Sequence, residues 1–234
     1  MESRAPQSLA ARNVLAAWFL AVVVGTAASG IVLVASGHGS DVAIDIPIWV
    51  TALGVVAMWV AMLAILHRVR PETPRINRDS LSWFRMVDLI GVPLGFFCQF
   101  VLVVAVTWPL QKIWPDSFSS DEVSKRATDL TNTAPGVWKL LLVLVVVVGA
   151  PIVEEIVYRQ VVQQDLVRRW GAATGIVVTA LVFAAVHMQL VEFAGLFAFA
   201  LVLGMVRHRT GRLGTSIITH MAFNAAGLLM VLLK

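Results

Sequence analysis

Long apolar runs, each near the length needed to cross a bilayer, constrain this chain more than any other feature. A crossing helix needs about 20 mostly apolar residues. Such runs occupy 14–36, 48–66 and 87–108, the third interrupted by Pro93 and Pro109. A fourth begins near Val137, contains LLLVLVVVVGAPIV and continues into EEIVYRQVVQQDLVRR. Residues 172–207 form one stretch that as a single helix would extend about 50 Å, too long for one crossing. It is therefore divided near residues 188–192 into a fifth and a sixth span, although no Gly or Pro marks the break. The seventh is 213–233. The chain is 59% hydrophobic and 14% charged, with a mean hydropathy of +0.84. A soluble domain is about half apolar and about a quarter charged, and 234 residues cannot bury such an excess in water. The expected fold is all-α, a polytopic membrane bundle of about seven transmembrane helices.

The charges agree with this reading. Arg4 and Arg12 precede the first run, and Arg68, Arg70, Arg75, Arg78 and Arg85 separate the second from the third. Arg168 and Arg169 follow the fourth, and Arg207, Arg209 and Arg212 follow the sixth. With seven spans all of these fall on one side, which the positive-inside rule makes cytosolic, N-terminus included. The opposite loops carry Asp41, Asp45, Asp116, Asp121, Glu122 and Asp129. The first run exceeds the 7–15 residues of a signal-peptide core and reads as a retained span. In the loop RVRPETPRINRDSLSWFR, Pro71 and Pro74 exclude a helix. There Trp83 and Phe84 beside Arg85 suggest a short interfacial segment, the plain alternative being a cytosolic connector. The net charge of +4 does not point to nucleic acid, because the basic residues flank apolar runs and form no patch with aromatics. The single cysteine, Cys98, excludes an intrachain disulfide and reads as a small buried hydrophobe. No repeat or low-complexity segment divides the chain. One domain is expected, with N-terminal spans at 14–110 and a functional helical region at 136–234.

Ionisable side chains inside a span are costly and mark function by default. They concentrate in the C-terminal half. Span four holds Glu154, Glu155 and Arg159, span five His187, and span seven His220 with Asn224 one turn on. Glu155 and Arg159 stand at i, i+4 with the acid first, the favourable order for a helical ion pair. Glu154 points about 100° away. A carboxylate with no helical partner suits a general base or acid. The plainer alternative is that both glutamates snorkel toward the surface near Gln163, Gln164 and Asp165. A lone histidine in an apolar helix is more often a packing residue, so convergence of His187 and His220 carries the case. Glu154 lies sixteen residues before Trp170 and His187 sixteen after Gly171. In a hairpin turning there, both sit roughly 24 Å above the turn. His220 lies nine residues after Gly211, and a modest protrusion of the hairpin brings all three to one level in the cytosolic half of the membrane. Pro151 removes a backbone donor and is expected to free the carbonyl of Val147.

EEIVYR (154–159), FAAVH (183–187) and HMAFN (220–224) fit the patterns EExxxR, FxxxH and HxxxN. In this order on three apolar helices they resemble the CPBP family of intramembrane proteases, which includes the type II CAAX prenyl endopeptidases and bacterial proteins of bacteriocin processing and self-immunity. The resemblance covers about the last 100 residues. It implies a glutamate-type endopeptidase without a cofactor, in which Glu154 and His187 activate a water, His220 and Asn224 stabilise the oxyanion, and Glu155 and Arg159 support the site. Zinc is the alternative cofactor, since Glu154, His187 and His220 could form a His₂Glu site with one open position. No HExxH helix is present. A proton-coupled transporter and a non-catalytic immunity or binding protein are the other readings; the absence of an internal repeat argues against the former. The expected partners are the bilayer and a peptide or membrane-protein substrate cut near the cytosolic face. The Ala- and Val-rich, Lys-poor composition suits a bacterial plasma-membrane protein.

Overall fold

The computed structural model describes residues 14–41, 46–69, 84–119 and 136–233, with scattered positions between 125 and 134. Among these residues every regular element is helical. Six continuous helical segments are long and apolar enough to cross a membrane. The fourth, Trp138–Val186, runs 49 residues and is broken at Gly171, where φ 81 and ψ 167 leave the helical region. Only glycine adopts that conformation at little cost. Seven arms result: α1 (Val14–Ala35), α2 (Ile48–Val69), α3 (Met86–Ile113), α4 (138–170), α5 (172–186), α6 (Leu190–Thr210) and α7 (Leu213–Leu232).

The break between the fifth and sixth arms falls at 187–189, overlapping the start of the interval expected from length. Met188 takes a left-handed φ of 53 and Gln189 is extended. That explains why no Gly or Pro marks it: a methionine carries the strained turn. At the other end of α6, Gly211 (φ 66) caps the helix with its N–H on the Arg207 carbonyl. α3 is continuous through Pro93 and Pro109, so neither interrupts the run. The interfacial segment expected in the Arg68–Arg85 loop lies largely outside the described residues, as do Arg4, Arg12 and Asp45.

α4 and α5 fold back on one another at Gly171. A Cβ on Gly175 would lie 2.7 Å from Val167 Cγ2, so the turn is tight. Tyr158, twelve residues before Trp170, meets Phe183, twelve after Gly171, edge-on at 5.1 Å. Equal distance from the turn therefore does mean equal level. One cluster of buried side chains ties five arms together: Ala17 and Ala21 of α1, Met62 and Leu66 of α2, Val157 and Tyr158 of α4, Ala180 and Phe183 of α5, and Ala200 of α6. Cys98 of α3 is buried against Phe199 and Leu203 of α6. The outward surface is apolar, with Phe19, Ile31, Val34 and Val60 all exposed. This is the inverse of a water-soluble surface and suits lipid.

α3 and α7 approach more closely than side chains normally permit. A Cβ on Gly91 would lie 2.7 Å from the Thr219 nitrogen, and one on Gly95 2.6 Å from Ala222 Cβ. Gly91 and Gly95 form a GxxxG pair, the spacing that lets membrane helices touch backbone to backbone. Gly95→Leu is expected to destabilise the protein by about 1–3 kcal/mol through overpacking. Gly30→Ala, where a Cβ meets nothing within 4 Å, is expected to cost nothing. Thermal unfolding of the two variants in detergent checks this.

Candidate active site

α4 is not a regular α-helix around its acidic pair. Leu144–Gly149 and Glu155–Gln163 are π-helical, with Ala150–Glu154 between them. π turns in α-helices are frequent at functional sites. In the first, the Ala150 N–H reaches back five residues to the Val145 carbonyl. The donor missing at Pro151 therefore falls opposite Val146, not Val147 as regular helical spacing predicts. Asn224 Nδ2 of α7 takes the Val146 carbonyl at 2.8 Å. The proline thus supplies the acceptor that holds Asn224 against α4. An amide nitrogen carries two hydrogens, so one N–H of Asn224 stays available on the cavity side.

Past the proline the side chains form a chain of charge. Arg159 Nε donates to Glu155 Oε2 at 3.2 Å, both side chains being wholly buried. Glu155 Oε1 lies 3.0 Å from His220 Nδ1. On the far side of that ring, His220 Nε2 is 3.7 Å from Glu154 Oε2. Guanidinium, carboxylate, imidazole and carboxylate follow in that order across α4 and α7. Glu155 does not snorkel: burial fixes it on Arg159 and His220. The Glu154 side chain is 25% exposed and faces the cavity. Phe183 and Phe199 hold the His220 ring edge-on at 5.9 and 5.3 Å, and the Arg159 guanidinium sits 5.4 Å over the Phe183 ring. The motif phenylalanine is therefore a wall shared by the arginine and the imidazole.

His187 ends α5. Its Nδ1 is 2.7 Å from the Phe183 carbonyl. A carbonyl oxygen only accepts, so Nδ1 carries the hydrogen and Nε2 of the neutral ring keeps its lone pair. Glu154, His187, His220 and Asn224 all line one cavity of about 440 Å³. The structure places Glu154 nearest His220, while Glu154 and His187 share the cavity without an ion pair or hydrogen bond between them among the described residues. Nor does any group of three His, Cys, Asp or Glu converge as a metal site among those residues. Glu154, His187 and His220, the set considered for zinc, do not make such a group as placed.

Sequence reasoning missed a second polar cluster. Asp88, fully buried near the start of α3, accepts from Arg212 at 2.8 and 2.5 Å, from Thr215 Oγ1 at 2.6 Å and from the Arg85 N–H at 2.8 Å. It locks the beginning of α3 to the beginning of α7, below the Gly91–Gly95 contact, and so fixes the depth of His220. By sequence Arg212 is one of the basic residues that follow the sixth run. Nothing in the sequence pairs residues 124 positions apart, although a single acid at the edge of an apolar run was a signal.

The type II CAAX prenyl endopeptidase Rce1-like family model matches residues 136–226. The match agrees with the CPBP resemblance of the three motifs, contains all seven motif residues, and supports an intramembrane protease family. No curated protein and no solved structure matches the chain.

Two predictions follow from burial. Glu155→Gln leaves the buried Arg159 without a counter-charge and is expected to cost about 3–5 kcal/mol. Glu154→Gln, partly exposed to the cavity, is expected to leave stability within about 0.5 kcal/mol. Chemical unfolding in mixed micelles compares them. Asp88→Ala and Arg212→Ala are each expected to lower the melting temperature, and the double variant no further than Asp88→Ala alone. A double-mutant cycle reads that coupling.

Proposed function

We propose that this protein is a glutamate-type intramembrane endopeptidase whose reacting groups are Glu154, His187, His220 and Asn224. The observation that carries the proposal is that these four side chains, from three separate arms, line one cavity beside a buried charge chain. In this reading a water sits between the Glu154 carboxylate and the lone pair on His187 Nε2. Glu154 takes its proton as the oxygen attacks the substrate carbonyl. The oxyanion is met by the remaining N–H of Asn224 and by His220 Nε2–H, with the Glu155 carboxylate balancing the charge on that ring. Glu154 then returns the proton to the leaving nitrogen as the C–N bond breaks, giving a carboxylic acid and an amine. Glu155 and Arg159 act through His220 and are positioning residues.

The substrate is a peptide or membrane-protein segment. The arginine-rich turns at Gly171 and Gly211 support a cytosolic location for that end of the bundle by the positive-inside rule. The reacting groups then lie in the cytosolic half of a bacterial plasma membrane. The metal-free reading follows the resemblance of the three motifs to the CPBP family; His187 Nε2, left free by the Nδ1 bond to its own helix, suits a water in that reading and a zinc ion in the alternative.

Glu154→Gln and His187→Ala are each expected to reduce cleavage of a quenched fluorescent peptide library by about 10²–10⁴-fold. Asn224→Ala is expected to reduce kcat by about 10²–10³-fold. A zinc chelator is expected to change nothing. Activity lost to chelator and restored by zinc would place Glu154, His187 and His220 in a metal shell instead.

A further inference from the structure

Five carboxylates stand on the described helical arms, and four have a basic group beside them. Asp88 has Arg212, Glu155 has Arg159, Asp165 has Arg168 and Arg169, and Glu154 has His220. The fifth, Glu192, stands in the first turn of α6. Among the described residues no hydrogen bond or ion pair is found for it, and its side chain lines the same cavity as Glu154 and His187. An ionisable side chain in a span without a partner is a functional candidate.

The surroundings define what such a carboxylate can hold. No Lys or Arg is among the described residues lining the cavity, whose titratable groups are Glu154, Glu192, His187 and His220. The remaining walls are mainly apolar, with Met58, Trp59, Val145 and Leu196 among them. Apolar walls screen charge weakly, so two carboxylates there favour a cation and oppose an anion more strongly than the same groups in water. Glu154 is committed to the water and to His220 in the proposed mechanism. Glu192 is left to face the substrate.

We propose that Glu192 sets specificity by holding a lysine or arginine side chain of the substrate close to the scissile bond. The proposal rests on the endopeptidase reading and names the substrate class for that same cavity: apolar peptide segments carrying one basic residue. Segments with an acidic residue at that position are rejected, because the carboxylate repels them as effectively as it attracts the cation.

The test uses the full-length protein in micelles and apolar peptides differing at one position by lysine, norleucine or glutamate, with that position scanned along the peptide. At one position the wild type is expected to cleave the lysine peptide about tenfold faster than the norleucine peptide in kcat/KM, a difference of about 1.4 kcal/mol. The glutamate peptide is expected to be slowest. Glu192→Gln is expected to bring the lysine-to-norleucine ratio near one, and Glu192→Lys to reverse the order in favour of glutamate. In parallel, fluorescence anisotropy reads the same ratio in Kd, comparing Glu154→Gln with the Glu154→Gln/Glu192→Gln double variant. Cleavage with no lysine preference at any position, or a preference that survives Glu192→Gln, overturns the assignment of Glu192 and leaves the protease reading intact. A lysine preference in binding, lost with Glu192 but without cleavage of any peptide, supports Glu192 and overturns the protease reading. Neither cleavage nor preference overturns both.

Discussion

The Arg159 guanidinium, buried without access to water, governs the arrangement around it. A charge in such a place is tolerated only beside its opposite, and removing one partner is far more costly than the pair is worth. Glu155 answers it within the same helix, one turn away. That leaves one oxygen of Glu155 facing α7, and His220 fills the position. The register between α4 and α7 thus follows from electrostatics, with the Asp88–Arg212 lock and the glycine contact of α3 reinforcing it from the other side. Glu154, the adjacent residue, is turned away from this closed chain and toward the cavity. Two neighbouring glutamates in one motif acquire different surroundings because helical rotation gives one of them the arginine.

The backbone of α4 contributes as much as its side chains. A regular helix would satisfy every carbonyl internally and offer α7 nothing to hold. Two π-helical stretches and a proline between them change the pattern, so that Val146 presents a carbonyl to Asn224. In a membrane, where water is not at hand to satisfy a freed carbonyl, such a departure persists only if another group answers it. Asn224 answers it and is oriented by doing so.

Much of this was legible in the sequence. Seven apolar runs gave the spans, and the i, i+4 spacing of Glu155 and Arg159 gave the ion pair. Equal distances from Gly171 set Tyr158 against Phe183, and Glu154 and His187, also equidistant from it, line one cavity. Three things were not legible. The one-residue shift from Val147 to Val146 needs the π-helical register, which hydrophobic periodicity does not encode. The left-handed turn carried by Met188, at a break that length alone places, uses a residue with no turn preference. The Asp88–Arg212 lock joins positions with no local relation, and only the tertiary approach of α3 to α7 makes them neighbours. The N-terminal half, which carries none of the three motifs, therefore supplies the part that sets the depth of His220.

The turn at Gly171 has a consequence for how related chains can vary in length. α4 and α5 meet at a single glycine, and the levels of Glu154 and His187 are both counted from it. One residue inserted into either arm alone raises that arm's functional group by about 1.5 Å and rotates it by about 100°. Insertions and deletions between the first two motifs are therefore tolerable only as matched changes on the two sides of the glycine, or as whole extra turns at its tip. Between Gly211 and His220 the count is pinned by Asp88, whereas the loop leading into α2 is under no such arithmetic and is free to drift.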